Sequence, residues 1–299
     1  MVAPQRQTPS EQVVKGSGIK LEPGDRIVRV VLGAARLLAR YHRHRVVHLE
    51  RLGNLLRQGK RVVLVGNHVL DIVDPLLFVA GMLRRYHAVP CFIGHENLVF
   101  GFPGLKDLAR RHGMVPSRHM AETARALERD GLLMLYPGSG SEAARRIYRE
   151  EPYRLKWENR LGFLRLALRF DAEVVFVAAV GIDEMYHQSS FETPHWLLRL
   201  LGSERYRGAR LQFGLAGPHV LPGFFPLPVH ITHTVSPPID LGDRAVARRG
   251  GAALRRLHAR VWAECQTFLD AAVAARERSA PPLDRAIRWA ERRLGELGL

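Results

Sequence analysis

The chain has 299 residues, of which 46% are hydrophobic and 25% are charged, and its formal net charge is +16. This length allows one large domain or two small ones, and the hydrophobic fraction is sufficient for a large core. The positive charge favours anionic partners such as nucleic acid, anionic lipid or phosphorylated substrates. The two cysteines, Cys91 and Cys265, form neither a disulfide framework nor a CxxC zinc pattern, which is typical of a reducing compartment.

The first residues, MVAPQRQTPSEQ, have no apolar segment after their first charges, so we expect no signal peptide. No stretch of the sequence approaches the ~20 apolar residues that a membrane-spanning helix needs. We therefore expect a cytoplasmic protein, attached peripherally to the cytoplasmic membrane if it contacts lipid.

The N-terminal region divides into two parts. Residues 1–22 are polar and contain glycines and prolines, which predicts a flexible tail. Residues 23–45 predict an amphipathic helix with apolar residues at helical spacing and arginines on its other faces. The apolar residues are Ile27, Val30, Val31, Ala34, Leu37 and Leu38, and the arginines are Arg26, Arg29, Arg36, Arg40 and Arg43. Such a helix either packs on the core with a solvated basic face or lies on an anionic membrane.

From residue 46 onward, apolar runs alternate with helical patterns. Strands are predicted at 62–65, 89–93, 132–136, 174–180 and 230–235, and helices at 76–83, 103–111, 118–130, 161–170, 248–278 and 283–297. The alternation predicts a single α/β domain with a mostly parallel central sheet flanked by helices. We place this domain at residues 46–245 and assign residues 246–299 to C-terminal helices packed on it.

One strand-to-helix connection, GNHVLDIVDPLLF at residues 66–78, contains candidate catalytic groups. Asp74 followed by Pro75 predicts a helix that starts at residue 75 with Asp74 as its N-cap. His68 then lies in a loop at the end of a strand, a usual place for sites in open α/β sheets. Asp74 alone is explained as an N-cap and His68 alone as a loop histidine. Together they match a general base whose tautomer a carboxylate fixes, with Asp71 as the rival carboxylate.

A protein nucleophile is not evident in the sequence. Ser139 lies in PGSGS, residues 137–141, which does not match the GxSxG nucleophile elbow. A base without a serine or cysteine partner acts directly on a hydroxyl of the substrate.

Asn67-His68 followed by Asp74-Pro75 resembles the His/Asp motif of the glycerolipid acyltransferases, the lysophosphatidate acyltransferase-like superfamily. Three further segments resemble this superfamily in the same order, and the last two are similar to its branch related to monoacylglycerol and diacylglycerol acyltransferases. They are GMVPSR at 113–118, LYPGSGSEAARR at 135–146 and the segment 153–181. The resemblance covers roughly residues 45–245. Trp157 and Arg160, in the last segment, are candidates for a structural role.

The resemblance implies transfer of a fatty acyl group from acyl-CoA or acyl carrier protein to a lipid hydroxyl, in lipid metabolism such as phospholipid biosynthesis. His68 would act as the general base and Asp74 would orient it, without a metal, a cofactor or a covalent enzyme intermediate. The turn at residues 138–141 could supply backbone N–H groups to the developing oxyanion. The residues expected to bind substrate are Arg118, Gly138, Ser139, Gly140, Ser141, Glu142 and Arg145.

The sequence departs from the family pattern at three places, one of which is Gly138-Ser139 at the position of the family's glycine pair. Five residues, rather than the usual four, separate His68 from Asp74, which makes the motif HX5D. The EGTR block that handles phosphate in lysophosphatidate enzymes is absent, which favours a neutral or unusual lipid alcohol as acceptor. The alternative is a lipid-surface binding module that keeps the fold without catalysis. A nucleic-acid partner is not expected, since no helix-turn-helix, RRM or zinc signature occurs.

Overall fold

A computed structural model describes residues 26–69, 73–94, 103–111, 113–138, 142, 152–192, 196, 210–214, 217–219, 226–279 and 293. In this part of the chain the strands are β1 (Arg45–Val47), β2 (Val62–Gly66), β3 (Cys91–Gly94), β4 (Met114–Pro116), β5 (Leu132–Leu135), β6 (Glu173–Val180), β7 (His187–Glu192), β8 (Arg210–Gly214), β9 (Gly217–His219) and β10 (Thr232–Ile239). The helices are α1 (Arg26–Tyr41), α2 (Leu49–Arg57), α3 (Val73–Tyr86), α4 (Pro103–Arg111), α5 (Met120–Asp130), α6 (Gly162–Arg169), α7 (Arg244–Arg248) and α8 (Gly251–Ser279).

The central sheet has seven strands in the order β1-β10-β6-β2-β5-β3-β4. β10 is antiparallel to β6, and every other neighbouring pair is parallel. The predicted α/β fold with a mostly parallel sheet and flanking helices is thus confirmed. The continuous apolar runs of β2, β5 and β6 are buried on both faces, as expected for central parallel strands.

One face of the sheet packs against α2 and α3, with Leu52, Phe78 and Met82 among the buried contacts. The opposite face carries the larger core, to which α5, α6 and α8 contribute. Trp157 lies in this larger core, fully buried, with its ring edge-on to Phe163 and Phe176. The expected structural role of Trp157 agrees with this position, whereas Arg160 is exposed.

The observed elements match the predicted ones most closely where the sequence is apolar or punctuated by proline and glycine. The helix predicted at 103–111 has the same bounds in the structure, and the predicted strands 62–65, 132–136 and 174–180 differ by one residue. β1, α2 and the small antiparallel sheet β7-β8-β9 were not predicted. The strands of that sheet are polar, HQSSFE, RLQFG and GPH, and therefore lack the hydrophobic pattern of a buried strand.

Helix α1 packs on α3 through one side and exposes apolar residues on the other. Val28 and Ala35 are buried, while Val30 and Leu37 are 71% and 68% exposed. Of the predicted apolar residues, Val30, Val31, Ala34 and Leu37 face solvent, whereas Leu38 is partly buried against the larger core. None of the helices in the described ranges is long and apolar enough to cross a bilayer.

The predicted tail at 1–22 lies outside the described residues, and so does nearly all of the helix predicted at 283–297. The division of the chain at residues 23, 46 and 246 stays a prediction.

Candidate active site

The candidate site lies at the carboxyl edge of the central sheet, where neighbouring parallel strands end together. β2 lies between β5 and β6, and Val65 of β2 pairs with Leu135 on one side and Phe176 on the other. His68 follows β2 by two residues and Tyr136 follows β5 directly. The register of the sheet therefore brings these two side chains to the same place.

Asn67 fixes the backbone on the β6 side. Its amide donates to the carbonyl of Ala179 and accepts from the N–H of the same residue, both at 2.8 Å. The side chain thus continues the β2–β6 ladder by one step after the backbone pairing has ended. A fully buried asparagine with both amide atoms bonded has one orientation, so the residue that follows it is held in place.

Glu142 fixes the same backbone from a second direction. Its side chain is fully buried, and Oε1 accepts the backbone N–H of His68 at 2.7 Å. Oε2 accepts the backbone N–H of Lys156 at 2.8 Å. A Cβ at Gly138 would lie 2.3 Å from Oε2, so this turn needs glycine to admit the carboxylate. Glu142 therefore ties the His68 loop to the segment that precedes α6.

Tyr136 links His68 to Asp74. The rings of His68 and Tyr136 are stacked, with centroids 4.3 Å apart and an interplanar angle of 12°. A Cβ at Gly66 would lie 3.0 Å from the Tyr136 ring, so the ring lies directly against the end of β2. The Tyr136 hydroxyl donates to Oδ2 of Asp74 at 3.2 Å. Burial, and next the Asp74 carboxylate, raise the pKa of Tyr136 well above its usual value, so the hydroxyl keeps its proton.

Asp74 lies inside the first turn of α3, because this helix begins at Val73 and not at residue 75 as predicted. Phe78 and Met82 follow it at intervals of four residues and pack on the sheet, so Asp74 shares the inward face of the helix. Only 1% of the Asp74 residue is exposed. Its Oδ1 lies 2.7 Å from Nε2 of His233 in β10, which is equally buried.

A second histidine continues this contact toward the surface. Nδ1 of His233 lies 2.8 Å from Nε2 of the partly buried His44, and the two rings meet edge-on. The pKa of His44 is lowered to about 2, first by burial and then by the nearby His233 and Arg84. His44 is therefore neutral at physiological pH. Asp74, His233 and His44 form a continuous chain of polar contacts from the sheet interior to β1.

The other predicted site residues are only partly covered by the described ranges. Arg118 is exposed on the turn after β4. β4 lies three strands from β2, or about 14 Å at the usual strand spacing. Ser139, Gly140, Ser141 and Arg145 lie outside the described residues, as does the rival carboxylate Asp71.

Sequence reasoning missed Tyr136, His233 and His44. His233 left a signal, since it takes the place of an apolar residue between Ile231 and Val235 in an alternating strand. Tyr136 was included as the last residue of a predicted strand and in the LYPGSGSEAARR segment, but no role was predicted for it. His44 lies near the end of the predicted helix 23–45, outside its apolar positions, and no motif marks it.

The described residues also bear on other kinds of catalysis. Burial raises the pKa of Cys91 to about 12 and that of Cys265 well above its usual value, which makes both thiols poor nucleophiles. Within the described ranges, no three His, Cys, Asp or Glu side chains are grouped to hold a metal ion.

Comparisons with known proteins match part of the chain to a family. Residues 45–180 match the model of the family described as "Acyltransferase". These residues include every strand that borders the candidate site except β10. The chain is thus related to the glycerolipid acyltransferase superfamily, as its motifs predict.

Two curated relatives carry acyltransferase or lipid-synthesis names. The "DGAT1/2-independent enzyme synthesizing storage lipids" of Gallus gallus is 31% identical over 115 residues, which are 38% of this chain and 32% of that protein. The "Diacylglycerol O-acyltransferase 2-like protein 6" of Mus musculus is 25% identical over 119 residues, 39% of this chain and 35% of that protein. The chain spans about a third of the length of these relatives.

Proposed function

We propose that this protein transfers a fatty acyl group from a thioester donor, acyl-CoA or acyl carrier protein, to a lipid hydroxyl. The observation that carries the proposal is the position of His68. It follows a central strand by two residues, its backbone N–H donates to the buried Glu142, and its ring stacks on a tyrosine that binds Asp74. The family match over residues 45–180 supports acyl transfer as the class of reaction.

In the proposed reaction His68 takes the proton of the acceptor hydroxyl as the oxygen attacks the thioester carbonyl carbon. The C–S bond then breaks, and the imidazolium of His68 returns the proton to the departing thiolate. The products are an ester and a free thiol, so the reaction needs no oxidant, metal or covalent enzyme intermediate. General-base assistance of this kind contributes about 10²–10⁴-fold to the rate.

Asp74 supplies the negative charge that stabilises the imidazolium of His68. Its hydrogen bonds to Tyr136 and His233 use two of the roughly four acceptor positions of a carboxylate. The remaining positions can accept a hydrogen bond from the His68 imidazolium. Asp74 also lies in a nearly dry environment, where a charge acts more strongly than it does in water.

Glu142 acts as a positioning residue, because both of its oxygens bind backbone N–H groups inside the protein. Residues 138–141 follow β5 in the sequence and are proposed to donate backbone N–H groups to the oxyanion. Arg118 lies too far from β2 for the reacting carbonyl and suits an anionic group at the far end of the donor or a lipid head.

The proposed acceptor is a neutral lipid alcohol in preference to lysophosphatidate. Two observations support this choice. The PGSGSE segment replaces a phosphate-handling block, and a curated relative is named as a diacylglycerol acyltransferase-like protein. Purified protein given lysophosphatidate, monoacylglycerol and diacylglycerol in competition tests the proposal. We expect ester formation on a neutral acceptor, and faster turnover of lysophosphatidate than of both neutral lipids would contradict it.

We further propose that α1 attaches the protein to anionic membrane on its cytoplasmic side. Val30, Ala34 and Leu37 form an exposed apolar stripe opposite the side of α1 that packs on α3. The exposed arginines Arg26, Arg29, Arg36 and Arg40 lie along one border of this stripe. A helix with this distribution is suited to lie at the interface of a membrane with anionic head groups.

A non-catalytic lipid-binding module is the alternative function. It needs the exposed stripe of α1 but not the arrangement of His68, Glu142 and Asp74. Unchanged lipid binding by a chain without acyl transfer would favour this alternative.

A further inference from the structure

The Asp74 carboxylate has a partner that the acyl-transfer proposal does not use. Oδ1 lies 2.7 Å from Nε2 of His233, a shorter contact than the 3.2 Å between Oδ2 and the Tyr136 hydroxyl. Asp74 and His233 are each only 1% exposed. A carboxylate removed from water needs strong donors on its oxygens, and His233 supplies the shorter of these two bonds.

The sheet holds His233 firmly. In the pairing of β10 with β6, His233 lies opposite Ala179. The backbone N–H and C=O of Ala179 bind the side chain of Asn67. The ring packs against Phe78, one helical turn beyond Asp74, with centroids 5.3 Å apart. The residues that hold His233 are thus connected through the sheet to the residue that precedes His68.

The tautomer of His233 follows from its two neighbours. Ionised Asp74 can only accept a hydrogen bond, so Nε2 of His233 carries the hydrogen. In neutral His233 the Nδ1 atom must then accept, and the donor is the Nε2–H of His44 at 2.8 Å. A neutral His44 meets this need, which agrees with its strongly lowered pKa.

We propose that His233 is a positioning residue of the acyl-transfer site. Its Nε2–H donates to Asp74 and, together with the Tyr136 hydroxyl, holds in place the carboxylate that stabilises the imidazolium of His68. This inference rests on the proposed function. His233 is too deeply buried to contact a substrate, so it acts through Asp74. The hydrogen bond between His233 and Asp74 also explains how β10 completes the site, although this strand lies outside the matched family region 45–180.

A purely structural histidine would have different consequences. Its loss would lower stability without a specific effect on kcat. A side chain of similar volume without a hydrogen-bond donor would then restore the stability. A positioning residue loses its effect when Asp74 is already removed, because the two act as a unit. It is also replaced in part by a side chain that keeps a donor at the Nε2 position.

The test uses the full chain with His233→Leu, His233→Gln, Asp74→Asn and the double variant of His233→Leu with Asp74→Asn. The matched control is His258→Leu, which removes another buried histidine in the larger core, beside Phe163. Acyl transfer is measured with palmitoyl-CoA as donor and monooleoylglycerol or dioleoylglycerol as acceptor. Imidazole N–H resonances are recorded by NMR on histidine labelled with ¹⁵N.

We expect His233→Leu to lower kcat by about 100-fold, the cost of a misplaced catalytic group, with little change in the KM for palmitoyl-CoA. His233→Gln should recover at least a tenth of the wild-type kcat. In a protein that already carries Asp74→Asn, adding His233→Leu should lower kcat by less than about threefold further. The NMR spectrum should show an Nε2–H proton of His233 that shifts in Asp74→Asn and is unchanged in His258→Leu.

Two results overturn the positioning role while the proposed function stands. One is a kcat for His233→Leu within threefold of wild type, and the other is a hydrogen on Nδ1 of His233 instead of Nε2. Absence of acyl transfer by the wild type would overturn the proposed function and the positioning role with it. The NMR result would still show whether His233 and Asp74 are paired.

Discussion

The backbone N–H of His68 donates to Oε1 of Glu142 at 2.7 Å, and the two residues are 74 positions apart in the chain. This bond joins the loop after β2 to a residue that follows β5 in the sequence. It explains how a histidine in a connecting loop keeps a fixed position, although loops are usually the more mobile parts of a domain.

Glu142→Gln should therefore reduce both stability and activity. The amide NH₂ of glutamine would face one of the two backbone N–H groups that Glu142 now binds, which leaves a buried donor unsatisfied. We expect a loss of about 1–3 kcal/mol in the free energy of unfolding and a fall of at least about tenfold in kcat. Urea denaturation and steady-state acyl transfer measure the two effects. Glu128→Gln, at an exposed position of α5, is the control, and equal behaviour of the two variants would contradict the role of Glu142.

Asp74→Asn should lower kcat by about 10²-fold or more, because it removes the charge that stabilises the imidazolium of His68. The same change weakens the bonds to His233 and Tyr136, so we also expect about 1–3 kcal/mol of lost stability. Asp71→Asn is the comparison and should stay within about tenfold of wild type, a barrier change of roughly 1.4 kcal/mol. The opposite ranking in steady-state kinetics, with both proteins folded, would identify Asp71 as the functional carboxylate.

Substitution of Val30 and Leu37 together by serine should reduce binding to anionic vesicles. Both side chains are exposed, so their replacement removes apolar contact with the membrane and leaves the packing of α1 on α3 intact. Sedimentation with vesicles that contain phosphatidylglycerol measures the bound fraction, and we expect it to fall at least about threefold. Val246→Ser on α7 changes another exposed valine and should have no effect. An unchanged bound fraction in the double variant would exclude α1 as the attachment site.

The free energy of unfolding should fall as the pH falls below about 6.5. The pKa of His44 is lowered to about 2 by burial first, and burial also lowers the pKa of His42. At pH values between the ordinary histidine pKa and these lowered pKa values, His44 and His42 bind protons in the unfolded chain but not in the folded chain. Each such group contributes at most about 1.4 kcal/mol per pH unit in this window.

Urea unfolding at pH 7.5, 6.5 and 5.5 measures this slope. His44→Gln keeps a donor side chain but cannot titrate, so its slope should be smaller than that of wild type. Asn159→Gln, at an exposed residue that does not titrate, is the control and should leave the slope unchanged. Identical slopes for wild type and His44→Gln would show that His44 binds protons equally in the folded and unfolded chain, which contradicts its lowered pKa.

The sequence predicted the sheet and the position of His68 because both depend on local patterns. Apolar runs mark β2, β5 and β6, and the Asp74-Pro75 pair places a helix start within two residues of the observed one. The partners of Asp74 depend instead on the order of strands. His233 reaches Asp74 because β10 adds to the sheet beside β6 in antiparallel direction, and no local pattern predicts that pairing.

The hydrogen-bond partners of Glu142 also could not be predicted from local sequence patterns. Its place in the PGSGSE segment marked it as a site residue that would bind substrate. The fold turns its carboxylate inward, toward two backbone N–H groups that lie 74 and 14 residues away in sequence. Hydrogen bonds over such separations are set by tertiary packing and leave no periodic signal in the chain.

His68 is proposed to be the general base of an acyl transfer. The most direct measurement is the rate of ester formation from palmitoyl-CoA and a neutral glyceride by wild type and by His68→Gln, which preserves the backbone N–H bound by Glu142. We predict measurable transfer by wild type and a kcat at least about 10²-fold lower in the variant, with both proteins folded. Transfer by His68→Gln at the wild-type rate would contradict the account.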